Sequence, residues 1–320
     1  MSSLIEQAAE RLAQLREAGA EQLAPPPAPR PALQPVVPVT PPRPIEPESA
    51  NAPAVVAAPA VVSKQVALNL EKLTAEGFVT PNAPRSHRAE QYRVIKRPLI
   101  KNAMGQGAAP ITHGNLIMVT SALAGEGKSF TSINLAMSIA AELDNTVMLV
   151  DADVARPSVL RMLGLPQSAG LLDILEGKAD VSSTLLKTNI DKLSVLPAGT
   201  RHARATELLA SEAMRQLLDD MASRYSDRII IFDSPPLLLT TESRVLASNM
   251  GQIVVVVQAD RTLQADVEHA LSTIEACPVK MMLLNQARTD SKAGYGYGYG
   301  YGYGYGYGSE ADAPAESAAS

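Results

Sequence analysis

A chain of 320 residues that is 46% hydrophobic can bury a full core, and a formal charge of -5 gives no overall bias toward nucleic acid. One cysteine, Cys277, excludes an internal disulfide and fits a reducing compartment. No window approaches the run of about eighteen apolar residues that a membrane span needs, and the N-terminus lacks a signal-peptide core, so a cytoplasmic protein is expected.

Residues 1–24 read as a short amphipathic helix. Ser3 and Glu6 have capping-box spacing, and Leu4, Ala8, Leu12 and Leu15 share one face. Such a helix is marginal alone, so it either docks on a partner or frays. Residues 25–62 are rich in Pro, Ala and Val without periodicity, which predicts a disordered, extended linker. A folded domain is expected over 63–290, opening with a helical lead over 63–110 that Gly77, Pro81, Pro84 and Pro98 should break into pieces. Within the lead, Glu90, Arg93, Lys96 and Arg97 lie beside Tyr92 and Ile95. No aromatic platform is interleaved with these charges, so they suit solvent or an acidic partner better than nucleic acid.

The apolar run Leu116, Ile117, Met118 and Val119 leads into Ala122 to Ser129, and a helical face follows at Ile133, Leu135, Ala136, Ile139 and Ala140. Strand, glycine-rich turn and helix in this order predict a phosphate-binding loop. Ala124, Gly125, Glu126, Gly127, Lys128, Ser129 and Phe130 form the expected ATP cradle, with Lys128 reaching the phosphates and Ser129 on Mg2+. Ala122 stands where the usual pattern has its first glycine, which alanine tolerates at negative φ.

Further β runs at Val147–Val150, Leu193–Leu196, Ile229–Phe232, Ile253–Val257 and Met281–Leu284 alternate with helical patterns at Ser129–Leu143, Thr206–Tyr225 and Leu263–Ala276. This predicts an α/β fold of the P-loop NTPase class, a mostly parallel sheet with helices on both faces and ligands at the carboxyl ends of the strands. Asp151 and Asp153 end the second run, and Asp233, Ser234, Pro235 and Pro236 end the fourth. Asp233 is assigned to Mg2+, assisted by Asp153, and Asp151 to orienting or deprotonating an incoming hydroxyl, with the order of Asp151 and Asp153 left open. His87, His113, His202 and His269 have no ligand spacing.

Residues 291–320 form a flexible tail with Tyr295, Tyr297, Tyr299, Tyr301, Tyr303, Tyr305 and Tyr307 separated by single glycines. The repeat reads either as low complexity or as a row of phosphate acceptors. The loop with Leu123 in place of a partition-ATPase lysine, the acids at 151 and 153, Asp-Ser-Pro-Pro at 233–236 and the tyrosine cluster together resemble the bacterial tyrosine autokinases of capsule and exopolysaccharide export. The Pro-rich lead and the Tyr-Gly tail resemble the exosortase-associated branch more narrowly.

The resemblance implies autophosphorylation between subunits of a ring-shaped homo-oligomer, recruitment to the inner face of the cell membrane by a chain-length-determinant partner, and an opposing tyrosine phosphatase. It also implies a subunit contact through Glu90, Arg93 and Lys96, and an adenine-reading role for Asn285. Pro-Ala-Gly at 197–199 and Glu-Leu-Leu at 207–209 are similar to the family, whereas Ala155 replaces its usual arginine, with Arg156 beside it. A partition-like ATPase acting as an assembly switch, and an inactive scaffold, are the rival readings.

Overall fold

The computed structural model describes residues 64–81, 86–224 and 227–287. The expected helix over 1–24, the linker over 25–62 and the tail over 291–320 lie outside them. In chain order the elements are β1 (Gln65–Val66), α1 (Leu70–Ala75), α2 (His87–Ala103), β2 (Leu116–Ser121), α3 (Lys128–Ala140), β3 (Thr146–Asp151), α4 (Val159–Met162), α5 (Leu171–Leu175), α6 (Val181–Thr184), β4 (Leu186–Thr188), β5 (Leu193–Leu196), α7 (Ala205–Leu209), α8 (Glu212–Arg224), β6 (Arg228–Asp233), α9 (Glu242–Ala247), β7 (Gln252–Gln258), α10 (Gln264–Ser272) and β8 (Val279–Asn285). Among the described residues no helix is long and apolar enough to cross a membrane.

The strands form one sheet in the order β1-β4-β5-β3-β6-β2-β7-β8, parallel throughout except where β4 meets β5. The period of two in a strand sends alternate residues to opposite faces, and here both faces are buried. Met118, Met148, Val150, Ile230 and Phe232 join Met214, Leu218 and Met221 of α8 in one core. Ile117, Val119, Leu149, Ile229 and Ile231 join Ile133, Leu135 and Met137 of α3 and Leu99 of α2 in the other. The expected two-faced α/β architecture is therefore observed, with β2 between β6 and β7.

Two expectations are corrected. Pro98 does not break α2, which runs from His87 to Ala103. The proline ring removes the bond to the Val94 carbonyl, and the loss falls on the open side of the helix, where Val94 is 74% exposed. The single helix expected over Thr206–Tyr225 is two, α7 and α8. Ser211 separates them: its hydroxyl donates to the Leu208 carbonyl (2.7 Å) and accepts from the Met214 N–H (3.2 Å), closing one helix and opening the next. Lys96, expected to reach a neighbouring subunit, is buried in its own chain, where its ammonium donates to the Ser138 carbonyl of α3 and pairs with Glu142 at 2.6 Å. Glu90 and Arg93 stay on the exposed side of α2 and pair with each other.

Pro-Ala-Gly at 197–199 meets the start of α5, where the Gly170 and Thr200 N–H groups donate to Asp173 at 2.8 and 3.0 Å. Burial raises the Asp173 pKa, but these donors outweigh it and hold the carboxyl below its ordinary value. Its contribution to stability is thus complete above the unfolded value, about pH 4, and is lost as pH falls through the folded one. Asp173→Ala should cost about 1–3 kcal/mol at pH 7 and progressively less toward pH 3, read by urea titration at both ends.

Candidate active site

The loop between β2 and α3 holds its shape by glycines at positive φ and by one buried acid. Gly125 and Gly127 have φ values of 90° and 94°, the left-handed region that favours glycine. Ala122 is not among the residues at positive φ, which accommodates its Cβ. At Gly127 a Cβ would overlap the Asn285 amide of β8, which donates to the Glu126 carbonyl at 2.8 Å. The Glu126 side chain is 2% exposed and turned away from the cleft. It accepts from the Leu123 N–H at 2.6 Å and from the Thr262 hydroxyl, tying the loop to the segment after β7. Glu126 therefore fixes the shape of the loop from inside the fold, and Asn285 stands against the loop in a hollow it shares with Phe130.

Three strand-end acids converge on the start of α3. Asp151 of β3 and Asp233 of β6 are partners in register. Lys128 donates to Asp153 at 2.6 Å and lies 3.9 Å from Asp233, while Ser132 donates to Asp233 at 3.1 Å. Burial lowers the Lys128 pKa, but Asp233 and Asp153 more than offset it, so the ammonium stays charged. Burial and the neighbouring Asp233 push Asp151 up to about 7, against the Val159 and Ser158 N–H groups that donate to it at 3.0 Å. Burial raises Asp233 as well, and Lys128 and Ser129 pull it back.

Asp151 Oδ1 and Asp233 Oδ2 are buried and have no hydrogen-bond partner. The orphaned Asp233 oxygen, on a carboxylate that the Ser129 hydroxyl also reaches, is a hard donor of the kind Mg2+ accepts, completed by water and substrate phosphate. The residues present thus fit the metal.

The Asp-Ser-Pro-Pro segment is fastened to the phosphate-loop strand. Ser234 N–H donates to the Val119 carbonyl, Thr120 to the Pro235 carbonyl, and Leu237 N–H to the Ser121 carbonyl, at 2.8–3.1 Å. Above these lies a cleft of about 540 Å³. Ala124, Gly125, Gly127, Lys128, Ser129 and Asp153 form its floor. Arg156, Arg161, Met162, Pro235, Pro236 and Leu239 complete its lining.

Residues 114–285 match the family model described as an AAA domain. The chain is 30% identical over 199 residues to the tyrosine-protein kinase YwqD of Bacillus subtilis (strain 168), covering 62% of this chain and 80% of that protein. The chain belongs to the family of bacterial tyrosine-protein kinases. It is also 34% identical over 183 residues to the tyrosine-protein kinase ptk of Acinetobacter johnsonii, covering 57% of this chain but 24% of that protein. Among solved structures it is similar to the VpsO kinase domain, with a TM-score of 0.51 and 26% identity over 63% of this chain and all of that one.

In this tyrosine-protein kinase the structure brings Lys128, Ser129, Asp151, Asp153 and Asp233 together, keeps Asn285 at the loop's edge, and leaves Glu90 and Arg93 on the outer surface of α2. Tyr295 to Tyr307 lie outside the described residues. Sequence reading missed Ser132, one helical turn beyond Lys128, and also missed Thr262, Arg161 and Leu239. Ser132 had a usable signal, since a hydroxyl at i+4 from Lys128 shares its helix face. Glu126→Ala should lower stability by about 2–3 kcal/mol, the scale of losing buried hydrogen bonds to a charge, and should weaken nucleotide binding through the loosened loop. Calorimetric titration and thermal melting read the two effects.

Proposed function

We propose that this kinase transfers the γ-phosphoryl group of ATP to the tyrosines of its own tail, Tyr295 to Tyr307, between subunits of a homo-oligomer. We further propose that this autophosphorylation regulates exopolysaccharide polymerisation and export. The observation that carries the reading is the convergence of Lys128, Asp151, Asp153 and Asp233 at the start of α3, with Lys128 and Asp153 lining an open cleft. In that cleft the loop N–H groups and the start of α3 hold the polyphosphate, and Lys128 stabilises charge on the transferred group. Ser129, Asp153 and Asp233 would hold magnesium, which would supply neutralisation of the phosphate oxygens. The bond from phosphorus to the ADP oxygen breaks as the bond to the tyrosine Oη forms, and Asp151 orients the phenol and takes its proton.

The same reading includes a membrane chain-length-determinant partner that recruits the kinase to the inner face of the membrane, and a tyrosine phosphatase that reverses the modification. The subunit contact in this reading is Glu90, Arg93 and Lys96, of which Lys96 also pairs with Glu142 inside its own chain.

Purified protein with labelled ATP and magnesium should label the tail. Lys128→Met and a chain ending at Ala293 should both lose the label. Phosphate release without label would favour an ATPase switch, and neither signal would favour a scaffold. Asp151→Asn should slow transfer by about 10²–10⁴-fold, the usual contribution of a positioned base, with nucleotide affinity unchanged. Intact transfer in that variant would remove Asp151 from the mechanism.

A further inference from the structure

The described cleft contains more than phosphate transfer requires. Arg156 and Arg161 both line it, both are exposed, and among the described residues neither forms an ion pair. Arg156 is anchored only through its backbone, its N–H donating to Asp153 at 3.1 Å. Arg161 sits on α4 beside Met162, and Pro235, Pro236 and Leu239 give the same cleft an apolar lining, with Leu239 58% exposed. An apolar wall suits an aromatic ring. Two guanidiniums that line the same cleft without an ion pair among the described residues suit an anion carried on the same chain as that ring, since guanidinium forks match carboxylate and phosphate.

The tail sequence offers both groups in register. Tyrosine recurs at every second residue from 295 to 307, so a tail threaded in extended form presents its phenols on one side at steps of about 6.7 Å. Beyond the repeat come Glu310 and Asp312, and no lysine or arginine follows Lys292. Each phosphate once transferred adds about -1.5 to -2 charge and three strong acceptors.

We propose that Arg156 and Arg161 form an anion subsite that selects a tyrosine with negative charge two to five residues C-terminal to it. This rests on the tail-kinase reading above. Glu310 and Asp312 satisfy the subsite first and place Tyr307 over the phosphate loop. Transfer breaks the bond to ADP, forms the bond to Oη, and releases the phenol proton through the strand-end acid. Phosphotyrosine 307 then replaces the carboxylates as the anchor and brings Tyr305 into place. Modification runs from Tyr307 toward Tyr295, the tail advancing by one tyrosine for each ATP consumed.

The test uses the full chain, quenched after about one transfer per subunit. Trypsin cuts after Lys292 and leaves every tail tyrosine on one peptide, which electron-transfer fragmentation resolves site by site. Singly modified peptide should carry phosphate at Tyr307 in about tenfold excess over Tyr295, the scale of one charge-assisted hydrogen bond. Arg156→Ala with Arg161→Ala should level the distribution, and so should Glu310→Gln with Asp312→Asn, which lies outside the folded domain. A level distribution in the native chain, or an unchanged order in both double variants, would overturn the subsite. So would arginine variants that weaken ATP binding while keeping the order, because the guanidiniums would then belong to the nucleotide. Complete absence of phosphate from the tail would overturn the kinase reading itself, which separates the two failures.

Discussion

Everything in the cleft depends on how one lysine is held among three carboxylates. Asp151, Asp153 and Asp233 are almost wholly buried, and taking such groups out of water disfavours their charge. Lys128, bonded to Asp153 and close to Asp233, keeps this concentration of acids tolerable, and the remaining strain appears as an Asp151 that titrates near 7. The arrangement is electrostatically unfinished. Two buried carboxylate oxygens lack a donor, and the array accommodates further positive charge more readily than a neutral pocket would.

The sheet makes that convergence possible. Parallel strands deliver their carboxyl ends to one edge, so β2, β3 and β6 bring residues more than a hundred positions apart to the same place. The cost is a burial of both faces, met by nearly continuous apolar runs and by α3, whose residues from Thr131 to Ala140 are all buried. A helix so enclosed cannot shift without disturbing both its phosphate loop and the sheet beneath it. Lys96 adds a polar tie from α2 to the far end of that helix.

What was legible in the sequence was whatever followed a period or a motif. The strand runs, the glycine-rich turn and the acids after β3 and β6 all announce themselves locally, and they placed Lys128, Ser129, Asp151, Asp153 and Asp233 in one site. What stayed hidden depends on a second segment. Ser211 divides a continuous apolar pattern because its hydroxyl finds backbone partners on both sides. Pro98 is tolerated because the helical bond it removes lies on the exposed side of α2, at Val94, and Lys96 looked like part of a basic surface until α3 supplied its acceptor. β1 and β4 are two and three residues long, too short to carry a period at all. Glu126 resembles any loop residue until Thr262 comes beside it, and Leu239 gains its meaning only in the cleft it shares with Arg161.

Gly127 has a consequence for how this site can vary. Its positive φ is a local demand of the turn, while the amide of Asn285 closes the space where a side chain would begin. The two demands are separable. Trimming position 285 would open room for a methyl group but would leave the backbone strained, and it would also remove the amide that steadies the loop. No single compensating change elsewhere rescues alanine at 127, so drift at 285 cannot unlock it. The turn is closed to gradual exploration, and variation in this cleft is channelled to the walls, where Arg156, Arg161, Met162 and Leu239 can change without disturbing the turn.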